Sequence, residues 1–134
     1  SANTPCPCHS GRKFKGCCGP ILKGRLASSP ETLMRSRYTA YATAAVSHIL
    51  RTTHTGGPQH QADAAQWSQS VAQFCDTYVF SDLCIHSHSE DGATGYVHFT
   101  ASLELGGELS RLEEHSVFYK VGEQWLYWGA KSLG

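Results

Sequence analysis

From Pro30 onward, side chains that can pack recur at helical spacing, with Leu33, Arg37, Tyr41 and Ala44 along one stripe and Ser29 standing where a cap belongs. This predicts a helix running to about Leu50, broken by Gly56-Gly57-Pro58. A second helical stretch begins near Ala62 and ends near Thr77, with Trp67, Val71, Phe74 and Cys75 forming its apolar face. There the period drops to two. Phe80 to Ser87 reads as a strand, Glu90-Asp91-Gly92 as a turn, and Tyr96 to Leu105 as a strand with Val97, Phe99, Ala101, Leu103 and Leu105 on one face. Gly106-Gly107 leads into a third strand over 108–121, and Gly122-Glu123 into a fourth from Gln124 to Ala130. Helices followed by an antiparallel meander predict an α+β domain in which a curved sheet wraps the helices into a cone.

The third strand breaks its own pattern. Leu112, Glu114, Ser116 and Phe118 share a face, so a carboxylate and a hydroxyl lie between two apolar residues on the inward side. A buried charge without a partner is costly, and Arg37 on the first helix is the obvious partner, so an Arg37 to Glu114 contact across the core is expected. Two roles fit that pair. It joins helix to sheet, or, with Tyr38, Tyr41, His98, Ser116 and Trp128, it floors a small-molecule pocket.

The first eighteen residues follow neither period. Cys6-Pro7-Cys8, a loop through His9-Ser10-Gly11-Arg12-Lys13-Phe14-Lys15-Gly16, and Cys17-Cys18 place four thiols close together in sequence. Ser10-Gly11 and Gly16 supply the flexible backbone that brings two sulfur pairs face to face, and such a polar segment buries too little apolar surface to order itself without a metal. Four sulfur ligands favour zinc, with iron the alternative, and a closed set leaves no open position for a reactive water. The competing arrangement is a pair of cross-linked disulfides, since Cys17-Cys18 and Cys6-Cys8 bridges are strained. His9 could replace a thiol but is expected to be exposed.

Charge divides the chain. Through Arg51 there are eight basic residues against Glu31 alone, a surplus of +7 that the remainder balances with −7. Arg12, Lys13, Lys15, Lys23 and Arg25 crowd the thiols, where they offset thiolate charge or form a docking surface for a protein, a ribosome or another anionic partner. The segment lacks interleaved aromatics, so phosphate contact is expected in preference to base reading. The composition, 40% hydrophobic and 16% charged, suits one folded domain with a small appendage and argues against disorder.

The knuckle resembles the SEC-C motif, which ends the SecA translocation ATPase and occurs in assorted bacterial proteins; His9 replaces the Gly usual there. Leu33-Met34-Arg35-Ser36-Arg37-Tyr38-Thr39-Ala40-Tyr41, Glu113-Glu114-His115-Ser116-Val117-Phe118 and Trp125-Leu126-Tyr127 resemble the YchJ family of small bacterial proteins. The resemblance implies a SEC-C metal-binding knuckle over 1–24, holding zinc or iron through Cys6, Cys8, Cys17 and Cys18 and serving partner contacts. It implies a nuclear-transport-factor-2-like (cystatin-like) domain over 25–134, and no established reaction.

Other residues are less informative. His86 and His88 sit on one strand face at metal-site spacing, without a residue to complete a site, and are expected to be exposed; Cys75 and Cys84 are expected to be buried free thiols. No phosphate loop, hydrolase elbow or paired-histidine zinc helix is present, so no motif supports an enzyme. No apolar run reaches the roughly 18 residues needed to cross a bilayer, no basic-then-apolar leader begins the chain, and a start at Ser1 without Met suggests trimming. Reduced cysteines imply a cytoplasmic setting. The residues leave two classes of function, a docking protein using the knuckle and a ligand-binding protein or enzyme using the cone around Glu114.

Overall fold

The computed structural model describes residues 4–131. A short 3-10 turn, Phe14–Gly16, leads into α1 (Cys18–Leu22), followed by α2 (Pro30–Thr43), α3 (Val46–Arg51) and α4 (Ala64–Thr77). The sheet then forms from β1 (Val79–Asp91), β2 (Thr94–Leu105), β3 (Glu108–Val121) and β4 (Gln124–Ala130), all antiparallel in the order β1-β2-β3-β4. This is the expected α+β meander. Ser29 caps α2 by accepting the Thr32 amide at 3.1 Å, and Asp63 caps α4 through the Gln66 amide at 3.0 Å.

The helix expected to run from Pro30 to Leu50 is two helices. Ala44 takes a left-handed conformation at φ 59°, which costs a non-glycine residue about 1 kcal/mol. Local propensity does not favour that break, because Ala44 and Ala45 are good helix residues. Folding α3 back places three oxygens where the buried Arg37 needs them. Its Nη1 donates to Ile49 O at 3.0 Å, Thr52 Oγ1 at 2.8 Å and Thr53 Oγ1 at 3.1 Å. A cation at the carbonyl end of a helix is favourable, and here it joins two helices.

A second buried polar link ties the same helices. Ser36 Oγ donates to Leu33 O at 2.7 Å and lies 2.9 Å from His48 Nε2, while Arg51 Nη2 lies 3.0 Å from His48 Nδ1. Arg51 can only donate, so Nδ1 accepts, and the ring is neutral with its proton on Nε2, donated to Ser36. Burial first, then the charges of Arg51 and Arg37, push the His48 pKa down to about 4.

Val97, Phe99, Ala101 and Leu103 of β2 are buried as the alternation predicts, joined by Leu83, Phe118, Trp125 and Tyr127, whereas Leu105 at the end of the strand is exposed. Close packing is sharpest at Gly95, where a Cβ would collide with the Pro30 ring at the start of α2. Beyond β4 the chain segment 52–54 covers the sheet edge, with Tyr127 donating its amide to Thr52 O and His54 donating its amide to Tyr127 O, both at 2.8 Å. Among the described residues no helix is long and apolar enough to cross a membrane.

Candidate metal knuckle and cone cavity

The knuckle is a very small hairpin. Phe14 donates its amide to Thr4 O at 2.9 Å and Cys6 donates to Arg12 O at 2.8 Å, so the arms before and after the loop pair. At its tip His9 and Gly11 have φ of 63° and 86°. The left-handed backbone at His9 is what glycine adopts at no steric cost, which accounts physically for glycine being the usual residue there. His9 is exposed and sits edge-on to Tyr38, so it takes no part in the thiol cluster.

All four Sγ atoms lie within 4.8 Å of one another, and all four cysteines are free. Cys8 and Cys17 Sγ are 3.6 Å apart, Cys17 and Cys18 Sγ 4.0 Å. Four thiolates at tetrahedral zinc–sulfur distance are separated by about 3.8 Å, so the spacing suits a divalent ion and not disulfide bonding. The cluster is thus compatible with metal binding. Cys6, Cys8 and Cys18 are buried and Cys17 is half-buried, with Ser10 Oγ 3.3 Å from Cys17 Sγ. The Cys18 hydrogen bond pulls the Cys8 thiol down to about 4 against the opposing effect of burial, and the same contact raises Cys18. The thiol protons leave as a metal enters.

Helix α2 holds the knuckle in place. Arg35 donates from Nη1 to Cys8 O at 3.0 Å and from Nε to Glu31 at 3.0 Å, and Thr39 Oγ1 lies 3.8 Å from Cys6 Sγ. Cys6, Cys8 and Cys18 join the same buried cluster as Leu33, Val97 and Phe118, so the knuckle shares the core of the cone. Arg12, Lys13, Lys15, Lys23 and Arg25 are exposed, and none forms an ion pair among the described residues. Four of them divide between two grooves, and Lys13 lines neither. Arg12 and Arg25 flank one beside Cys17, while Lys15 and Lys23 flank another on the Phe14 side.

A half-open cavity of about 380 Å³ lies between α2, α4 and the sheet. Arg37, Tyr38, Tyr41, Glu114 and Ser116 all line it, with apolar walls from Trp67, Phe74 and Leu112. The expected Arg37 to Glu114 contact does not form. Tyr127 stands between them, its ring 4.5 Å from the Arg37 guanidinium and its hydroxyl donating to Glu114 Oε2 at 2.6 Å. Ser116 Oγ donates to the same oxygen at 2.5 Å, leaving Glu114 Oε1 without a hydrogen bond among the described residues. Burial, then Glu114, raises the Tyr127 pKa, and burial lowers that of Arg37.

His98 and Trp128 are not part of the cavity. His98 follows the inward Val97 and precedes the inward Phe99, so it faces out, and Trp128 faces out between the inward Tyr127 and Gly129, packing on His54 and Tyr119. His86 and His88 do not share a face either. A register shift between Ile85 and Ser87 turns His88 towards Glu31 on α2, at 3.1 Å, and leaves His86 beside His98 on the outer face. Cys84 is exposed and Cys75 half-buried, contrary to the expectation of two buried thiols.

Comparison with known proteins follows the same division of the chain. Residues 29–130 match the family model described as YchJ, middle NTF2-like domain, and residues 3–20 match the SEC-C motif. The UPF0225 protein SG1365 of Sodalis glossinidius is 33% identical over 129 residues, covering 92% of this chain and 80% of that one. A UPF0225 protein of Deinococcus radiodurans is 36% identical over 125 residues, covering 92% and 85%. The solution structure of RPA3114, a SEC-C motif containing protein from Rhodopseudomonas palustris, superposes with a TM-score of 0.78 at 31% identity, covering 94% of this chain and 96% of that one. With a thiol knuckle seated on a cone of this topology, and with matches spanning both parts, the chain belongs to the YchJ family, a SEC-C motif joined to an NTF2-like domain.

Proposed function

We propose that this chain is a zinc-binding docking protein of the cytoplasm, whose knuckle over 1–24 presents a charged surface to a protein or ribosome partner while the cone over 25–134 is its scaffold. The observation that carries this reading is the pairing of a closed thiol set with five exposed basic residues that have no ion pair among the described residues. Zinc is the metal most suited to a closed four-sulfur site, iron the next, and neither leaves room for a reacting water, so the knuckle orders a surface. Unpaired cations on a rigid base attract anionic partners at long range, with the steep salt dependence of any such encounter. The test is sedimentation of the purified protein with ribosomes at low and moderate salt. Co-sedimentation lost on Lys13→Glu with Lys15→Glu supports the reading; equal sedimentation of wild type and variant refutes it.

The cavity supports a second reading, in which the cone holds a small molecule. Its volume of about 380 Å³ suits a compact ligand, and Glu114 Oε1 offers an acceptor at the end of an otherwise largely apolar space. Native mass spectrometry of protein purified without added ligand tests it. A retained small molecule that disappears in Glu114→Gln supports this reading, and bare mass for both proteins counts against it.

A further inference from the structure

On the outer face of the sheet, away from knuckle and cavity, three imidazoles form a row across adjacent strands: His86 on β1, His98 on β2 and His115 on β3. Their ring centroids are 4.6 Å apart for His86 and His98 and 3.9 Å for His98 and His115, the latter pair nearly parallel at 12°. Glu113 lies diagonally across from His98, its Oε2 2.6 Å from His98 Nε2. One donor atom each from His86, His98 and Glu113 falls within 4.8 Å of the others.

We propose that His86, His98 and Glu113 form a second metal site, distinct from the knuckle, for a divalent first-row ion of the zinc type. The chemistry of the donors selects the ion. Two imidazoles and a carboxylate suit zinc, nickel or copper and are a poor set for calcium or magnesium, which take oxygen ligands. The geometry is near what is needed. Ligands on a tetrahedral ion with bonds of about 2.0–2.1 Å stand about 3.3 Å apart. A proton now holds His98 to Glu113; the ion takes its place, and the proton passes to solvent. His98 needs only a small movement to admit the ion, while the stacked His115 ring fixes its plane.

Two features make this arrangement more than neighbouring polar groups on a sheet. Alternation from the inward Leu83 and Ile85 carries His86 to the outer face beside His98, and the register shift between Ile85 and Ser87 turns His88 inward to Glu31, which leaves His86 as the β1 histidine on that face. Thr100 Oγ1 holds His86 Nε2 at 2.6 Å, a contact that orients the ring, and Cys84 Sγ stands 3.8 Å from His86 Nδ1. Three ligands leave at least one coordination position for water or an external group.

The experiment uses the full chain with its knuckle metal in place, titrated with zinc ions by calorimetry in a buffer that does not chelate. About one further equivalent should bind. His98→Ala and Glu113→Gln should each lose that equivalent, or weaken it by more than about tenfold, while thermal unfolding stays as in wild type, because these side chains are on the outer face. His88→Ala should bind as wild type. Cobalt in place of zinc should give visible bands without sulfur-to-metal charge transfer, which distinguishes this ion from one at the knuckle. Absence of a further equivalent in the wild type, or binding unchanged by His98→Ala, overturns the proposal whatever the knuckle holds.

Discussion

Lowering the pH from 7.5 to 5 should destabilise the protein through His48. Its ring is 2% exposed, and its pKa falls from 6.5 to about 4 because burial and the nearby Arg51 and Arg37 charges disfavour the imidazolium. In the unfolded chain the ring protonates near its ordinary value, so below 6.5 the unfolded state binds the extra proton and the folded state does not. A depressed histidine pKa therefore gives stability that is full above the unfolded pKa and is lost as pH falls from 6.5 towards 4. The whole shift corresponds to about 3 kcal/mol, of which about 2 kcal/mol is lost by pH 5. Structurally, protonating Nδ1 turns the acceptor for Arg51 into a donor facing a donor. The assay is urea unfolding followed by tryptophan fluorescence at both pH values, for wild type and His48→Gln. Gln retains an amide donor for Ser36 and does not titrate, so acid loss at the thiol cluster is common to both proteins and cancels. The difference between the two proteins should narrow by about 2 kcal/mol at pH 5. An equal pH loss in both, or a His48 ring titrating near 6.5 by NMR, would refute the reasoning.

Gly95→Ala places a methyl group against the Pro30 ring and should cost about 1–3 kcal/mol in urea unfolding, with the cap at Ser29 displaced. Tyr127→Phe removes the hydroxyl that donates to Glu114 Oε2 and should cost about 1–2 kcal/mol by the same assay, since the carboxylate keeps Ser116 and the cavity can admit water. Cys8→Ser removes one of the four clustered thiols, and elemental analysis should show metal content at the knuckle falling from about one per chain to none.

Most of the fold was legible because the sheet alternates cleanly. The third and fourth strands follow their turns at Gly106-Gly107 and Gly122-Glu123 without ambiguity. The thiol cluster was legible because Cys-x-Cys and Cys-Cys leave few other ways to gather four sulfurs. The break at Ala44 was not, since its cause is the oxygen set that Arg37 requires from α3, a tertiary demand on a locally helical stretch. Tyr127 was missed because aromatics occupy both faces of β4, and Trp125-Leu126-Tyr127-Trp128 does not by itself declare which pair is buried. His98 could have been placed, for the alternation that assigns Val97 and Phe99 inward assigns it outward. His88 could not, because the β1 register shift leaves no mark in Cys84-Ile85-His86-Ser87-His88.

Helix α2 is the wall of one compartment and the floor of another. Arg35 and Thr39 reach the knuckle, while Met34, Arg37, Tyr38 and Tyr41 border the cavity, and Tyr38 touches both by setting its ring against His9 and Phe80. A shift of this one rod small enough to leave its own hydrogen bonds intact changes the two spaces together. If metal entry at the thiol cluster displaces this rod, a molecule in the cavity senses the displacement, and the influence runs equally in reverse.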